Sequence, residues 1–302
     1  MNHVACRTAD FPGPLAEQLT DPNLRPPPGD VVLYWLGQAG FVIEFGTPHG
    51  SSRLLVDPYL SDSLARKYAG TRYTHRRMMA APILPEQFTR LDLVLCTHRH
   101  TDHMDPDTLQ PLAAAFPGLR FIVPAASTDE ACKRCGVGMN RLIPLDAGDW
   151  IEPLPQLQIT ALASAHESLS IDDNGHHEWL GYVLDLGGLR IYHSGDCIPY
   201  PGLANTLADL APQVALLPVN GRDAERGGNG VPGNFTLDEA ITLCHDAGVK
   251  TMIAHHYGLF EFNTVSPETI DARSAIVAPG DPALFRACLG TAFKIGTTRA
   301  GP

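Results

Sequence analysis

Apolar residues in this chain occur in short runs that alternate with polar and turn-forming segments. The runs "VVLYWLG", "GFVIEF" and "SRLLVDPYL" lie close together and are rich in β-branched and aromatic residues, which is typical of strands joined by tight turns. The next run, "LDLVLCT", is apolar almost throughout, as expected for a strand buried on both faces. This part of the chain therefore predicts an antiparallel meander followed by a buried strand.

Helical segments separate the later strands. "DTLQPLAAAF" and "STDEACKRCG" predict helices on either side of the strand "RFIVP". A second group of strands follows in "LQITALAS", "EWLGYVLDL" and "LRIYHSGD", with Gly187 and Gly188 at a tight hairpin turn. "QVALLPVN" and "VKTMIAHH" predict two more buried strands. A helix capped by Thr236 and Glu239 lies between them, and another helix begins at Ser266 after them. Two successive groups of strands and helices predict an α/β fold, a four-layer αββα sandwich.

The N-terminal segment differs from the rest of the chain. Residues 1–29 are rich in Pro and polar residues and end in "RPPPGD", which predicts a lead-in arm. Residues 30–302 are interpreted as a single domain, because 302 residues are long for one average domain and short for two. A hydrophobic content of 44% is enough to form a sizeable core.

Charge and cysteine content exclude several classes of protein. A formal net charge of −11 argues against non-specific nucleic-acid binding and against attachment to an anionic membrane. No apolar run approaches the roughly 18 residues of a transmembrane helix, and no secretory signal is visible. Seven cysteines, an odd and scattered number, suit a reducing compartment, so we expect a cytoplasmic protein. Cys132 and Cys135 form one C-x-x-C pair, interpreted as helix cysteines rather than as a redox pair.

Candidate metal ligands follow the buried strands. The segment "CTHRHTDHMD" comes directly after "LDLVL", and three imidazoles and a carboxylate so close together would be costly to bury without a partner. Strands that each deliver His or Asp at their carboxyl ends can converge on one point. A single histidine would more often be an ordinary core residue, but here the residue types recur after strand upon strand. The candidates are His98, His100, Asp102, His103, His166, Asp196 and His256, with His255 as the alternative to His256.

This set of ligands indicates a transition-metal site. Imidazole nitrogens and carboxylate oxygens suit Zn, Mn or Fe and do not suit Ca²⁺, which prefers oxygen alone. Five histidines and two aspartates are too many for one four-coordinate ion, so two divalent ions that share a carboxylate are expected, with Asp196 as the bridge. One ion per chain is the alternative. We expect the site to activate water for hydrolysis.

The segment "THRHTDH" resembles the His-x-His-x-Asp-His signature of the metallo-β-lactamase superfamily. The later order of His166, Asp196 in "HSGDC" and His256 strengthens a resemblance that covers about residues 30–262. It implies the same αββα sandwich. Within the superfamily the chain looks most like the L-ascorbate-6-phosphate lactonase branch, on "YWLGQAGFVIE", "LLVDPYL", "YHSGD", "VNGRD" and "IAHHYGLF". His166, in "SAHES", departs from that branch and looks like the standard superfamily ligand, which leaves the substrate open.

The resemblance also implies a division of the ligands. One ion would be held by His98, His100 and His166, and the other by Asp102, His103 and His256, with Asp196 shared. Asp102 would also accept a proton from the attacking water, or orient it, and is the predicted catalytic residue. His256 is preferred to His255 because, in this branch, the residue before the Tyr-Gly of "HYG" fills the last ligand position.

Two segments are candidates for substrate binding. Residues 63–85 contain five basic residues and no acidic one, which predicts either a solvated face or a basic lip that binds a phosphate or carboxylate through Arg76 and Arg77. The glycine-rich "VNGRDAERGGNG" predicts either a surface loop or a segment near the metals that presents Asn220 or Arg222 to substrate. The expected partner is a small anionic substrate.

The expected function is metal-dependent hydrolysis, and the resemblance implies a sugar-acid lactone phosphate as substrate. A phosphodiesterase on a small phosphodiester is the alternative, because the same site can attack phosphorus. The acidic net charge disfavours a nuclease. The intact His100 disfavours a redox di-iron protein. The presence of every predicted ligand disfavours a non-catalytic relative. The sequence does not determine the oligomeric state; a homo-oligomer is considered because small enzymes are often symmetric oligomers.

Overall fold

The computed structural model describes residues 3–276 and 278–298. Its strands are β1 (His3–Asp10), β2 (Val31–Gly37), β3 (Gly40–Thr47), β4 (Gly50–Val56), β5 (Leu93–Leu95), β6 (Arg120–Pro124), β7 (Leu142–Leu145), β8 (Trp150–Leu154), β9 (Leu157–Ala163), β10 (Leu180–Leu186), β11 (Arg190–His193), β12 (Val214–Pro218), β13 (Thr251–His255), β14 (Ala283–Arg286) and β15 (Thr291–Thr298). Its helices are α1 (Leu15–Thr20), α2 (Ser63–Lys67), α3 (Pro106–Ala115), α4 (Thr128–Cys135), α5 (Leu203–Leu210), α6 (Ala224–Gly228), α7 (Leu237–Ala247) and α8 (Pro267–Ser274).

The strands form two mixed sheets. The first has the order β1-β15-β2-β3-β4-β5-β6-β7, antiparallel as far as β4 and parallel from β4 to β7. The second has the order β14-β13-β12-β11-β10-β9-β8, parallel from β14 to β11 and antiparallel from there to β8. The predicted αββα sandwich is confirmed, and the predicted meander is formed by β2, β3 and β4.

The apolar run in β2 shows how the layers are built. Successive residues of a strand point to opposite faces of its sheet. One set faces the central core shared with the second sheet and consists of Val31, Leu33 and Trp35. The other set faces a separate core formed with α1, α3 and α4 and consists of Val32, Tyr34 and Leu36. The run is continuous because β2 is covered on both sides.

The N-terminal segment belongs to the first sheet. β1 pairs with β15 along its length, with Cys6 opposite Ile295, and β15 in turn pairs with β2. Leu15 and Leu19 of α1 are buried in the core beneath that sheet. Part of the predicted arm is therefore an edge strand and a packed helix, which the Pro-rich composition did not indicate.

Several local predictions agree with the structure. Gly187 and Gly188 both have positive φ, and the N–H of Leu186 donates to the carbonyl of Leu189, as the predicted hairpin requires. Thr236 and Glu239 form the predicted capping box of α7. Cys132 and Cys135 lie on α4 as free thiols. In the described part of the chain, no helix has the length and apolarity to span a membrane.

Strand direction determines where the functional residues emerge. β4 and β5 are parallel, and so are β11, β12 and β13. β9 runs in the same direction as β11, because both are antiparallel to β10. The segments that follow β4, β5, β9, β11 and β13 therefore meet at one edge of the sandwich.

Candidate metal centre

The predicted ligands come together at this edge of the sandwich. The first sheet contributes the turn after β5, in which the carbonyl of His100 accepts hydrogen bonds from the N–H groups of His103 and Met104. Asp105 then caps α3, which holds the end of this turn. The second sheet contributes His166 after β9, Asp196 after β11 and His256 after β13.

One group of ligand atoms is formed by three histidines. The imidazole rings of His98 and His100 lie 4.8 Å apart between centroids, those of His100 and His166 5.1 Å apart, and those of His98 and His166 5.6 Å apart. Their nearest nitrogen atoms lie within 4.8 Å of one another. Trp179 packs against all three rings at about 5 Å, so the group is held on an aromatic wall.

A second group consists of Asp102, His103 and His256. The Oδ2 atom of Asp102 lies 3.8 Å from Nε2 of His103 and 4.0 Å from Nε2 of His256. The side chain of Asp102 is 17% exposed, whereas both histidines are buried, so the carboxylate forms the open side of this group. His98 and His103 lie next to each other, with ring centroids 4.0 Å apart, and join the two groups.

Asp196 lies between the two groups. Its Oδ1 atom is 3.1 Å from Nε2 of His256 and 3.3 Å from Nε2 of His103, and its Oδ2 atom is 3.6 Å from Nε2 of His166. Each carboxylate oxygen thus faces a different group, which is the arrangement that a bridging ligand requires.

The ligand atoms fit divalent metal ions. Nε2 of His98, Nε2 of His103, Nε2 of His256 and Oδ1 of Asp196 are buried and make no hydrogen bond with the described residues. Leaving buried polar atoms unpaired is costly, and a metal ion would satisfy all of them together. Imidazole and carboxylate ligands are compatible with Zn, Mn or Fe. Two ions would be held as the division of the ligands implies, with Asp196 between them.

The surroundings of most of these histidines keep their rings neutral, which is the form that binds metal. Burial lowers the pKa values of His98 and His166, and it lowers the pKa of His100 to about 4, so their rings are neutral near pH 7. For His103, burial acts in the same direction, but Asp196, Asp57 and Asp102 outweigh it and raise the pKa well above the ordinary value. Asp196 is held as a carboxylate, because nearby His256 and His103 outweigh burial and lower its pKa.

Asp57 is a supporting residue that the sequence analysis did not identify. It follows β4 and is fully buried, and its Oδ2 atom lies 2.7 Å from Nδ1 of His103. Its two oxygens also accept hydrogen bonds from the N–H (2.7 Å) and hydroxyl (2.6 Å) of Thr97, whose hydroxyl lies 3.0 Å from Nδ1 of His98. Asp57 thereby orients His103 so that Nε2 faces the cluster. Its position in "LLVDPYL", directly after a strand at this edge, was the available signal.

Gln38 supports Asp102, and the sequence analysis did not identify this residue either. Its Nε2 atom donates to Oδ2 of Asp102 at 2.9 Å, and its carbonyl accepts the backbone N–H of His256 at 2.9 Å. Gln38 and His256 both have left-handed backbones, with φ of 50° and 62°. Such backbone strain is retained where surrounding contacts fix it. Here the hydrogen bond between the two backbones connects the β2–β3 turn to the candidate ligand His256.

The structure distinguishes His256 from its neighbour. His255, the last residue of β13, is buried against Phe41 and stacks on His193, with ring centroids 5.2 Å apart. His256 turns away from the strand and points into the ligand cluster. The geometry thus brings His256, and not His255, to the candidate centre.

A cavity of about 470 Å³ opens above the ligands. His100, Asp102, His166, Asp196 and His256 are part of its lining. Its walls also carry four basic residues and three aromatic or imidazole rings, namely Lys67, Arg72, Arg99, Arg134, Tyr68, Tyr73 and His75. The site is therefore a cation-rich pocket in a protein of net charge −11.

The four cations differ in their partners. Arg72 pairs with Glu225, Arg99 with Glu178, and Arg134 with Glu130. Lys67 lies 5.1 Å above the ring of Tyr68 and, within residues 3–276 and 278–298, pairs with no carboxylate. Lys67 is thus the cation that is most available to an anionic ligand.

The residues predicted to bind substrate do not line this cavity. Arg76 is exposed and is not among the residues lining the cavity. Arg77 is turned into the protein, where it donates to the carbonyls of Tyr59 and Met79. Buried Asn220 does not line the cavity either.

Arg222 does not line this cavity either. Its guanidinium binds both carboxylate oxygens of Glu239 at 2.6 Å and donates to the carbonyl of Asn234, so it supports the start of α7. It borders a neighbouring cavity rather than the one above the ligands. Glycine-rich composition and local charge did not reveal which side chains face inward.

The αββα fold and the cluster of His and Asp side chains from both sheets together define a metal-binding member of the metallo-β-lactamase fold class. The chain belongs to the beta-lactamase superfamily, because the profile of the Beta-lactamase superfamily domain matches residues 52–257, more than half of its length. The sequence resemblance to the superfamily is thereby confirmed.

Individual relatives agree with this assignment. The chain is 27% identical over 270 residues to a UPF0173 metal-dependent hydrolase of Methanosarcina mazei, a match that covers 83% of this chain and 97% of the relative. Among solved structures it is similar in fold to Igni18, a metallo hydrolase of Ignicoccus hospitalis, with a TM-score of 0.63, 20% identity and coverage of 88% and 98%. It is also similar to CmlA, a diiron beta-hydroxylase of Streptomyces venezuelae, with a TM-score of 0.61, 16% identity and coverage of 88% and 54%.

Proposed function

We propose that this metal-dependent hydrolase of the beta-lactamase superfamily acts on a small anionic ester or lactone. A sugar-acid lactone phosphate such as L-ascorbate 6-phosphate is the most concrete candidate. The observation that carries the proposal is the position of the two ligand groups, which form part of the lining of a cavity whose walls hold Lys67, Arg72, Arg99 and Arg134. The curated relative named above, a metal-dependent hydrolase, supports the reaction type.

Divalent ions at this site would supply Lewis acidity toward the substrate carbonyl and would make water a stronger nucleophile at neutral pH. Asp102 is the protein group best placed to handle the proton. Burial alone would raise its pKa, but His103 and His256 outweigh burial and lower it, so Asp102 is a carboxylate at neutral pH. Gln38 donates to its Oδ2 atom, while Oδ1 accepts no hydrogen bond from the described residues and can orient water or accept a proton from it.

The cations would place the substrate. A phosphate or carboxylate of the substrate would be attracted to the cavity wall, where Lys67 offers an ammonium group and Arg134 offers a guanidinium group beside Thr101. The rings of Tyr68 and His75 stack with centroids 4.3 Å apart and form an adjoining wall for the apolar face of a sugar ring. Such positioning would bring the lactone carbonyl over the ligand groups.

A phosphodiesterase acting on a small phosphodiester is the second candidate. The same basic residues in the cavity wall favour it, since guanidinium groups bind phosphate as well as carboxylate. The two candidates differ in whether the attacked atom is carbon or phosphorus, which product analysis distinguishes directly.

The test is hydrolysis by the full chain reconstituted with Mn²⁺, Zn²⁺ or Fe²⁺. We expect turnover of L-ascorbate 6-phosphate, or of another anionic lactone, that is lost in Asp196→Ala and retained in Asp209→Ala, an exposed aspartate on α5. Turnover of small phosphodiesters alone would replace the lactonase proposal with the second candidate. Full activity in Asp196→Ala would refute both.

A further inference from the structure

Asn263 is a cavity-lining residue that neither the motif nor the ligand groups include. It lies beyond the last candidate ligand and shares the cavity with His100, Asp102 and His256. Its backbone is fixed, because its N–H donates to the carbonyl of Phe260 at 3.0 Å in a tight turn. The residue is half-buried: it lines the cavity, and its side-chain oxygen contacts protein groups.

The protein edge of the Asn263 amide is defined by two donors. Its Oδ1 atom accepts from Nη1 of Arg226 at 2.8 Å and from Nδ2 of Asn220 at 2.7 Å. The oxygen and nitrogen of an amide are hard to tell apart by shape alone, but a guanidinium can only donate. The atom that faces Arg226 must therefore be the oxygen, and the orientation of the amide does not depend on its own assignment.

Further hydrogen bonds keep both donors in place. Asn234, which is fully buried, donates from Nδ2 to Oδ1 of Asn220 at 3.0 Å, and this leaves the Nδ2 of Asn220 to face Asn263. Arg226 is tied to Oδ2 of Asp223 at 2.6 Å and to the carbonyl of Asn220 at 3.1 Å. Because the guanidinium of Arg226 can only donate, the Oδ1 atom of Asn263 stays on the protein side and its Nδ2 group cannot exchange places with it.

We propose that Asn263 is a substrate-binding residue whose Nδ2 group donates a hydrogen bond to an anionic oxygen of the substrate, and that Asn220 and Arg226 are the residues that position it. Within residues 3–276 and 278–298, Nδ2 of Asn263 donates to no protein acceptor. A donor that is locked in direction at the wall of a cation-rich pocket is complementary to phosphate or carboxylate oxygens. The inference rests on the proposed function for the anionic nature of the substrate.

The discriminating variant is Asn263→Asp. It keeps an oxygen for Arg226 and Asn220 to bind, so the inner contacts and the fold are retained, while the outward donor becomes a negatively charged acceptor. The probe is inorganic phosphate, titrated calorimetrically into the metal-loaded full chain, with metal content measured in every sample. The matched control is Asn205→Asp, which makes the same change on the exposed face of α5.

We expect Asn263→Asp to raise the Kd for phosphate at least about tenfold, since a hydrogen bond to a charged group is lost and a repulsion is added. Asn205→Asp should leave the Kd unchanged. Asn220→Asp, which sets an acceptor against Oδ1 of Asn263, should give a smaller rise at unchanged metal content, whereas a purely structural role would show as lost metal or lost fold.

Two results would overturn the inference. One is an unchanged phosphate Kd in Asn263→Asp, and the other is the absence of saturable phosphate binding by the wild-type protein. Its failure is separable from that of the proposed function. Weakened phosphate binding in a protein that hydrolyses no lactone or phosphodiester removes only the function, while hydrolysis with unchanged phosphate affinity removes only the inference.

Discussion

Replacing Asp57 with Asn should weaken metal binding selectively at the group formed by Asp102, His103 and His256. In the wild-type protein Oδ2 of Asp57 lies 2.7 Å from Nδ1 of His103. This contact would keep a ring proton on Nδ1, so that Nε2 is the nitrogen that loses its proton and presents a lone pair when a metal ion binds. In Asp57→Asn the other oxygen can still accept from the N–H of Thr97, so the amide nitrogen would face His103. Nδ1 would then accept, and the ring proton would move to Nε2.

The size of the effect follows from the role of the contact. Loss of a residue that hydrogen-bonds to a metal-binding histidine typically lowers metal affinity by about 10- to 100-fold, or about 1.4–2.8 kcal/mol. Asp57 is fully buried and contributes three of the hydrogen bonds around this ligand, so the upper half of that range is expected. The group formed by His98, His100 and His166 should change less, because Asp57 reaches it only through the hydroxyl of Thr97.

The assay is a Co²⁺ titration in the presence of a competing chelator, followed by visible absorption, which resolves tight and weak binding of the two ions. The matched control is Asp92→Asn, the same change at the opposite end of β5, where the carboxylate accepts the N–H of Arg53. Equal affinities in wild-type and Asp57→Asn protein would refute the reasoning, as would an equal loss at both sites.

Three other predictions follow from the same geometry. Gly195→Ala should lower the free energy of unfolding in urea by about 2 kcal/mol or more and displace Asp196, because φ is +60° and a Cβ would lie 2.8 Å from the carbonyl of Leu180. Gly118→Ala is the control, because φ is not positive there and a Cβ would meet nothing within 4 Å; equal stability of the two variants would count against this. Lys67→Ala should raise KM about two- to fivefold for an anionic substrate and not for a neutral analogue, whereas Arg76→Ala should change neither. Metal binding near pH 7 should release protons, since the raised pKa keeps His103 protonated without metal; affinity should then fall as pH falls, and heats of binding that do not depend on buffer ionisation would contradict it.

The sequence predicted the parts of the fold that rest on local chemistry. The ligands were predictable because each follows an apolar run, and the ends of parallel strands share an edge. The same pattern left β1 and β15 out, since their pairing joins the two ends of the chain and neither strand has a long apolar run. Helices α2 and α6 are only five residues each, too short to show a helical period.

The residues predicted to bind substrate are not those that line the cavity, and the reason is physical. A local excess of Arg says that charge is present, but the direction of each side chain depends on contacts that are distant in sequence. Arg77 is turned inward by backbone carbonyls, including that of Tyr59, while Arg134, on α4, lines the cavity. Asn220 was singled out in sequence for a direct role, and the structure instead makes it a partner of Asn263.

The position of Asp196 explains why this centre needs both sheets. The turn after β5 supplies four ligands from the first sheet, and these alone place three imidazoles side by side with one carboxylate at their open edge. Asp196 comes from the second sheet and is the group whose two oxygens reach both sets of histidines. It can do so because Gly195 lets the chain pass against Thr97 and the carbonyl of Leu180, so that the loop after β11 touches the turn after β5. Metal binding at this point would therefore join the two halves of the sandwich, and the stability of the fold and the occupancy of the centre should depend on each other.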